Sequence, residues 1–124
     1  MKLLLDTHAF LWWDSDDDHL LESFRSAIAS PQNQVFISAV TVWEIAIKRS
    51  LGKLIFGHGL GKAIEDHGFT ALPITVEHAE WAGSLPQLHR DPFDRILVCQ
   101  AQAHGLTLAS SDSLLRQYPV SLLF

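Results

Sequence analysis

Cysteine is almost absent from this sequence of 124 residues, in which Cys99 is the only one. A single cysteine cannot form a disulfide within the chain, so a small fold held together by disulfides is excluded. Cys99 lies within the apolar stretch 96–103. These features favour a reducing compartment, and we expect a cytoplasmic protein.

Long hydrophobic runs are missing as well. The chain starts with Met1 and Lys2, and its first apolar run, Leu3 to Leu5, ends at Asp6. No run approaches the roughly 18 apolar residues that a membrane-spanning helix needs. With 48% hydrophobic and 19% charged residues, the composition is that of a soluble globular protein. The length suits one compact domain, 1–124, and is too short for two.

Basic residues are scarce, since nine Lys and Arg face 14 Asp and Glu and the formal net charge is −5. This sign does not suit a protein that holds nucleic acid by bulk electrostatics, because phosphate binding normally uses clustered Lys and Arg. Four of the acids, however, lie within residues 14–18, and two bound divalent cations would offset most of the negative charge. Net charge alone therefore excludes no function.

Apolar runs and helical periodicity alternate along the chain. Strands are predicted at 2–5, 34–37, 69–74, 106–109 and 120–122. Helical segments are predicted at 7–13, 19–30, 39–50, 61–67, 76–82, 92–104 and 113–117, with an apolar loop at 53–61. Strands that alternate with helices form a parallel sheet covered on both faces. We therefore predict the α/β class.

Four acidic residues lie where a predicted strand passes into a helix or in the first turns of the helix that follows. They are Asp6, Glu44, Asp94 and Asp112. In a parallel sheet the carboxyl ends of the strands share one edge, and ligands bind there, where the strand order changes direction. We therefore expect the four carboxylates to converge at that edge.

Each acid also has a purely structural interpretation. Asp91 before Pro92 is a good N-cap, with Asp94 in the first turn of the same helix. Glu44 completes a capping box that begins at Thr41, or pairs with Lys48 one turn later. Asp6 and Asp112 are each placed to cap a following helical segment. Capping explains each acid singly but does not explain their convergence.

Convergence itself points to a cation. Carboxylates packed together raise one another's pKa unless a positive ion neutralises them. Oxygen ligands select Mg²⁺ or Mn²⁺, whereas zinc prefers His and Cys. The seven histidines show no metal-ligand spacing, so we expect surface or packing roles for them, and His8 is of interest only because it adjoins Asp6.

Three segments resemble the PIN-domain ribonuclease toxins of the VapC type. They are LLLDTHAFLWW, SAVTVWEIAIKRSLGKL and LHRDPFDRILVCQAQAHGLTLASSD, in this order, and together they extend the resemblance over essentially the whole chain. The resemblance implies a three-layer α/β/α PIN-like domain with a five-stranded parallel sheet. It also implies a metal-dependent endoribonuclease, the toxin of a toxin–antitoxin pair, that hydrolyses RNA phosphodiester bonds.

The resemblance assigns roles to particular residues. Asp6, Glu44, Asp94 and Asp112 would bind Mg²⁺ or Mn²⁺ and form the catalytic site, with Asp91 as a helix cap or outer group. Four further residues would contact the substrate: Thr7 and Ser111 would orient a ligand or phosphate, and Arg90 and Arg95 would hold the RNA backbone. Ser110 and Ser111 stand where the family often has a residue pair such as Thr-Arg, so a basic phosphate contact is missing there.

The resemblance also implies partners, namely a small antitoxin whose tail covers the acidic groove and a second copy of the toxin in a homodimer. The apolar loop Leu51 to Leu60 and the pair Trp12-Trp13 suit such contacts, although the loop could equally fold onto its own core.

Two other functions fit parts of the pattern. One is a catalytically silent PIN-like binding module, which the negative charge favours. The other is a receiver-like phosphotransfer domain, but that class needs an acid pair after the first strand and a phosphoacceptor Asp after the third. Here a single Asp6 and Pro73-Ile74-Thr75 occupy those places.

Overall fold

The computed structural model describes residues 1–123, so the last residue of the predicted domain 1–124 lies outside the described part. The strands are β1 (Lys2–Leu5), β2 (Gln34–Ser38), β3 (Thr70–Leu72), β4 (Thr107–Ala109) and β5 (Leu122–Leu123). The α-helices are α1 (Thr7–Asp14), α2 (Glu22–Ala29), α3 (Ala39–Ser50), α4 (Leu60–Asp66), α5 (Val76–Ser84) and α6 (Pro92–His104). A 3₁₀ helix spans Ser113–Gln117.

The five strands form one parallel sheet in the order β3-β2-β1-β4-β5. The central strand β1 pairs with β2 on one side and β4 on the other, and Asp6 N–H extends the second pairing by donating to the Ala109 carbonyl at 3.1 Å. The order changes direction between β1 and β4. Residues that follow these two strands therefore flank the crevice where ligands bind in open α/β sheets.

Both faces of the sheet are covered by helices. Leu3 and Leu5 point into one core with side chains of α1 to α4. Leu4 points the other way, into a second core with side chains of α6 such as Leu97. This alternation along one strand, with all three leucines fully buried, confirms the predicted three-layer α/β/α arrangement.

Element boundaries differ from the predicted ones at several places. α3 and α6 span the predicted residues, but α2 begins at Glu22 rather than at residue 19. Asp16 adopts a positive φ of 52° and the Leu20 N–H donates to the Asp17 carbonyl, so a turn occupies the predicted first helical residues. β5 begins at Leu122 instead of residue 120, because the Val120 N–H donates to the Tyr118 carbonyl within a turn.

The apolar loop after α3 is divided between core and surface. Phe56 and Leu60 are buried in the core that also contains Leu3. Ile55 and Leu51, in contrast, are 95% and 62% exposed. Phe56 and Leu60 therefore belong to the chain's own core, whereas Leu51 and Ile55 are free for the predicted contact with a partner. Among the described helices, none has the length and apolar character required to cross a membrane.

Candidate metal centre

The four predicted acids converge in the folded chain. Asp6, Glu44, Asp94 and Asp112 line one cavity of about 400 Å³ at the carboxyl edge of the sheet. The other lining residues are Thr7, His8, Trp12, His89, Asp91 and Ser111. The four side chains meet because the parallel sheet brings the ends of its strands, and the helices that follow them, to one edge.

Asp6 lies directly after β1 and caps α1, where its Oδ1 accepts the Ala9 N–H at 2.8 Å. Its exposed fraction is only 6%. Burial raises the pKa of this carboxyl above the ordinary value, although hydrogen bonds from the Ser110 hydroxyl and the Ala9 N–H act in the opposite direction. Keeping Asp6 ionised in this buried place therefore costs free energy, and a nearby cation would reduce that cost.

Glu44 is buried inside α3 and both of its oxygens are engaged. The Thr7 hydroxyl donates to Oε1 at 2.6 Å, and the Lys48 ammonium donates to Oε2 at 2.7 Å. The predicted pair with Lys48 is confirmed, whereas the predicted capping box at Thr41 is wrong. Ser38 caps α3 instead, by accepting the Val40 N–H at 3.0 Å, so Thr41 and Glu44 lie within the helix.

Asp94 lies in the first turn of α6, whose N-cap is Asp91. A helix N-terminus favours a carboxylate, but the surroundings of Asp94 have the stronger effect. Burial, followed by the negative charges of Asp91, Asp6 and Asp112, raises the pKa of Asp94 to about 7. Within this group of carboxyls, Asp94 is therefore partly protonated near neutral pH unless a cation is present.

Asp112 caps the 3₁₀ helix by accepting the Leu114 N–H at 3.0 Å. Burial raises the pKa of Asp112, but hydrogen bonds from the Leu114 N–H and from His89 outweigh that effect and lower the pKa below its ordinary value. The Asp112 N–H donates to the Ser110 hydroxyl oxygen at 3.1 Å. Since Ser110 also bonds to Asp6, this buried serine links two of the acids.

His89 is part of the site, although the sequence analysis expected histidines to have surface or packing roles. Its Nε2 lies 2.8 Å from Asp112 Oδ2 and 3.1 Å from Asp94 Oδ2. These contacts show that the expectation is wrong for His89. The sequence does not reveal them, because Asp112 is 23 residues away from His89 and no local spacing links the two. The available signal was its position in LHRDPFDR, on the loop that leads into α6.

The residues predicted to contact substrate have different surroundings. Thr7 is buried against Glu44, and Ser111 is exposed at the cavity wall. Arg90 is exposed beside His89 but does not line the cavity.

The prediction that Arg95 holds the RNA backbone is wrong. Its side chain is almost fully buried, and its guanidinium donates to the main-chain carbonyls of Ala82, Leu85 and Pro86 at 2.7 to 3.0 Å. A guanidinium used in this way is not available to RNA, so Arg95 is a structural residue in this fold.

The donor set fits a divalent cation. Oxygens of buried or half-buried carboxylates face one cavity, and the pKa values of Asp6 and Asp94 are raised in the absence of an ion. One potential ligand atom from each of His89, Asp94 and Asp112 lies within 4.8 Å of the other two. Carboxylate oxygens suit hard divalent cations.

Comparison with known proteins relates the chain to one family. The model of the PIN domain family matches residues 3–120. Ribonuclease VapC22 of Mycobacterium tuberculosis is 27% identical to the chain over 124 aligned positions, which cover 94% of this chain and 91% of that protein.

Solved structures with a similar fold include two complexes. VapBC2 from Rickettsia felis, bound to a DNA fragment from its promoter, gives a TM-score of 0.71 at 14% identity and covers 98% of this chain and 97% of that chain. A toxin–antitoxin complex from Klebsiella pneumoniae gives a TM-score of 0.66 at 20% identity and covers 98% and 96%. At these identities the similarity concerns the fold alone.

Proposed function

The chain belongs to the PIN domain family, and from that premise we propose that it is a metal-dependent endoribonuclease of the VapC toxin type. Its reaction is the hydrolysis of RNA phosphodiester bonds. The name of the relative in Mycobacterium tuberculosis, a ribonuclease, supports this reaction. We also propose that residues 1–124 fold as one PIN domain.

The carboxylate cluster is the observation that carries this proposal. Asp6, Glu44, Asp94 and Asp112 line one cavity, and the neighbouring acids help to raise the pKa of Asp94 to about 7. A group of acids arranged in this way is most stable with a cation among them. We propose Mg²⁺ or Mn²⁺, with Asp6 and Asp94 as direct ligands and with Glu44 and Asp112 as ligands directly or through water.

The protein's own residues hold and orient the reacting groups. Asp6, Glu44, Asp94 and Asp112 would hold a divalent cation, which would supply an activated water and charge neutralisation at the scissile phosphate. Thr7 and Lys48 keep Glu44 in one orientation. We assign the exposed Ser111 hydroxyl and the exposed Arg90 guanidinium to the phosphate backbone of the RNA at the edge of the cavity.

The proposed partners are a small antitoxin and a second copy of this chain. Complexes of toxin with antitoxin are among the proteins with a similar fold, which supports the first partner. The exposed side chains of Leu51 and Ile55 give apolar contact area for one of these partners. We propose the cytoplasm as the place of action, because the RNA substrate is found there.

An RNA cleavage assay tests the proposed function. Purified protein freed of antitoxin is expected to cleave RNA with Mg²⁺ or Mn²⁺ and to be inactive in EDTA. Asp94→Asn should abolish cleavage, whereas Asp66→Asn, which changes an exposed acid paired with Lys62, should leave it unchanged. Cleavage in EDTA, or full activity of Asp94→Asn, would contradict the proposal.

A catalytically silent PIN-like binding module is the second candidate. The burial of Arg95 favours it, because one cation expected at the RNA is used by the main chain. Ser110 and Ser111, in place of a basic residue before Asp112, favour it as well. A binding module would cleave no RNA in any metal, and alanine at all four acids would leave its partner binding unchanged.

A further inference from the structure

We infer that His89 is a positioning residue whose neutral imidazole donates its Nε2–H to Asp94 and Asp112 and orients both carboxylates for a divalent cation. In this role His89 does not itself bind the cation. The inference rests on the proposed function only in requiring that the acid cluster binds a divalent ion. His89 thereby connects the loop before α6, on which it lies, to the proposed metal ligands Asp94 and Asp112.

The hydrogen bonds of the imidazole determine where its proton lies. The Asp91 main-chain N–H donates to Nδ1 of His89 at 3.1 Å. A main-chain N–H can only donate, so Nδ1 must keep its lone pair and the proton of the neutral ring lies on Nε2. That nitrogen faces Asp112 Oδ2 at 2.8 Å and Asp94 Oδ2 at 3.1 Å.

This tautomer decides between two roles for His89. A histidine that binds a metal must present an unprotonated nitrogen to it. Here the nitrogen near the acids carries the proton, and the nitrogen with the lone pair is used by Asp91. His89 therefore acts as a donor to the ligands, which is the arrangement by which outer groups orient metal-binding side chains.

The loop that carries His89 is held by residues from the same two segments that carry its partners. Arg95 follows Asp94 directly, and its guanidinium donates to three carbonyls of residues 82–86 and, more weakly, to the His89 carbonyl at 3.4 Å. Tyr118 follows the 3₁₀ helix that Asp112 caps, and its hydroxyl accepts the His89 N–H at 3.0 Å and donates to the Pro86 carbonyl at 2.9 Å.

These bonds fix the position of the imidazole. Tyr118 binds the main-chain N–H of His89, and Arg95 binds the loop before it at Leu85. The ring itself bonds to Asp91, Asp94 and Asp112. A donor fixed between two carboxylates offsets their mutual repulsion and keeps one oxygen of each in place. The cation then meets ligands that are already oriented.

Calorimetric titration with Mn²⁺ tests the inference on the intact chain. His89→Ala removes the donor, and we expect the affinity for Mn²⁺ to fall by about 10- to 100-fold. His89→Gln keeps an N–H donor at a similar distance from the main chain, and its affinity should be closer to wild type than to His89→Ala. The control His104→Ala changes a histidine about 15 Å further along α6 from Asp94 and should leave the affinity unchanged.

Nitrogen NMR of the imidazoles supplies a second readout that needs no variant of the binding site. The expected result is a neutral His89 with its proton on Nε2, both without ion and after addition of Mg²⁺. This measurement, together with His89→Gln, decides the matter even if thermal unfolding shows that His89→Ala does not fold.

Three results would overturn the inference. The first is a His89→Ala protein that binds Mn²⁺ as tightly as wild type or more tightly. The second is a His89→Gln protein as weak as His89→Ala, which would show that an N–H donor at this position is not what supports Mn²⁺ binding. The third is loss of the Nε2 proton on Mg²⁺ binding, which would mark His89 as a direct ligand. A chain that binds Mn²⁺ in a His89-dependent way but cleaves no RNA would contradict the proposed function and support this inference.

Discussion

The Thr7 hydroxyl donates a hydrogen bond of 2.6 Å to Oε1 of Glu44, and this bond joins α1 to α3 across 37 residues of sequence. Both side chains are buried, and Lys48 occupies the other oxygen of the same carboxylate. Thr7 was predicted to orient a ligand or a phosphate. The geometry favours the first role, because the hydroxyl orients a carboxylate of the predicted metal site.

Thr7→Val is expected to destabilise the protein by about 1–3 kcal/mol, because a nearly isosteric side chain leaves a buried carboxylate oxygen without its donor. Thr7→Ser retains the hydroxyl and serves as the matched control, with a smaller loss. Urea unfolding measures both changes. Equal stability of Thr7→Val and wild type would show that the bond to Glu44 makes no net contribution.

The stability of the ion-free protein should depend on pH through Asp94. Its pKa is raised from 3.8 to about 7 in the folded state, so the folded state binds this proton more tightly than the unfolded state does. Ionising Asp94 therefore destabilises the fold: the loss begins above about pH 4, grows up to about pH 7 and is complete above it.

Asp94→Asn removes this dependence. Its free energy of unfolding relative to wild type should rise by about 2–4 kcal/mol between pH 4 and pH 7, at about 1.4 kcal/mol per unit of pKa difference. Urea unfolding in EDTA over this pH range measures the difference. A difference between the two proteins that stays constant with pH would contradict the raised pKa.

Divalent cations should stabilise the wild-type protein. Mg²⁺ at 100 times its dissociation constant is expected to add about 2.7 kcal/mol to the free energy of unfolding, because the ion binds the folded state alone. Asp6→Asn should lose this gain, whereas Asp66→Asn should keep it. Thermal unfolding with and without Mg²⁺ measures the effect, and an equal gain in Asp6→Asn would place the ion elsewhere.

Arg95 and Arg90 should behave as opposites, since one is buried and the other exposed. Arg95→Gln is expected to destabilise the protein by about 3 kcal/mol or more, because it removes the donors to the buried carbonyls of Ala82 and Leu85. Arg90→Gln should leave stability within about 0.5 kcal/mol and raise KM for RNA. Unfolding and steady-state kinetics on both variants test this contrast. A raised KM with unchanged stability in Arg95→Gln would restore the predicted RNA contact.

The sequence predicted the helices that have clear terminal signals. For α6, Asp91 caps the start, Pro92 takes the first position and Gly105 ends the helix with a left-handed φ of 64°. The bounds of β5 were less predictable. Its start depends on the turn at Tyr118, which depends on tertiary contacts rather than on local sequence.

The acid cluster was predictable because the sheet topology alone brings the four positions together. The place of His89 was not, because it depends on how a loop folds back onto Asp112. Arg95 was misassigned for a related reason. Its charge suggested RNA, but the carbonyls of residues 82–89 form a binding site for a guanidinium that no sequence pattern indicates.

Anomalous diffraction from Mn²⁺-soaked crystals of the intact chain is the most direct test of the proposed metal centre. We expect a manganese peak in the cavity that the carboxylate oxygens of Asp6 and Asp94 contact directly, with His89 bonded to these ligands rather than to the ion. A peak that these acids do not contact, or no peak under saturating Mn²⁺, would contradict the proposal that this chain cleaves RNA with a carboxylate-bound cation.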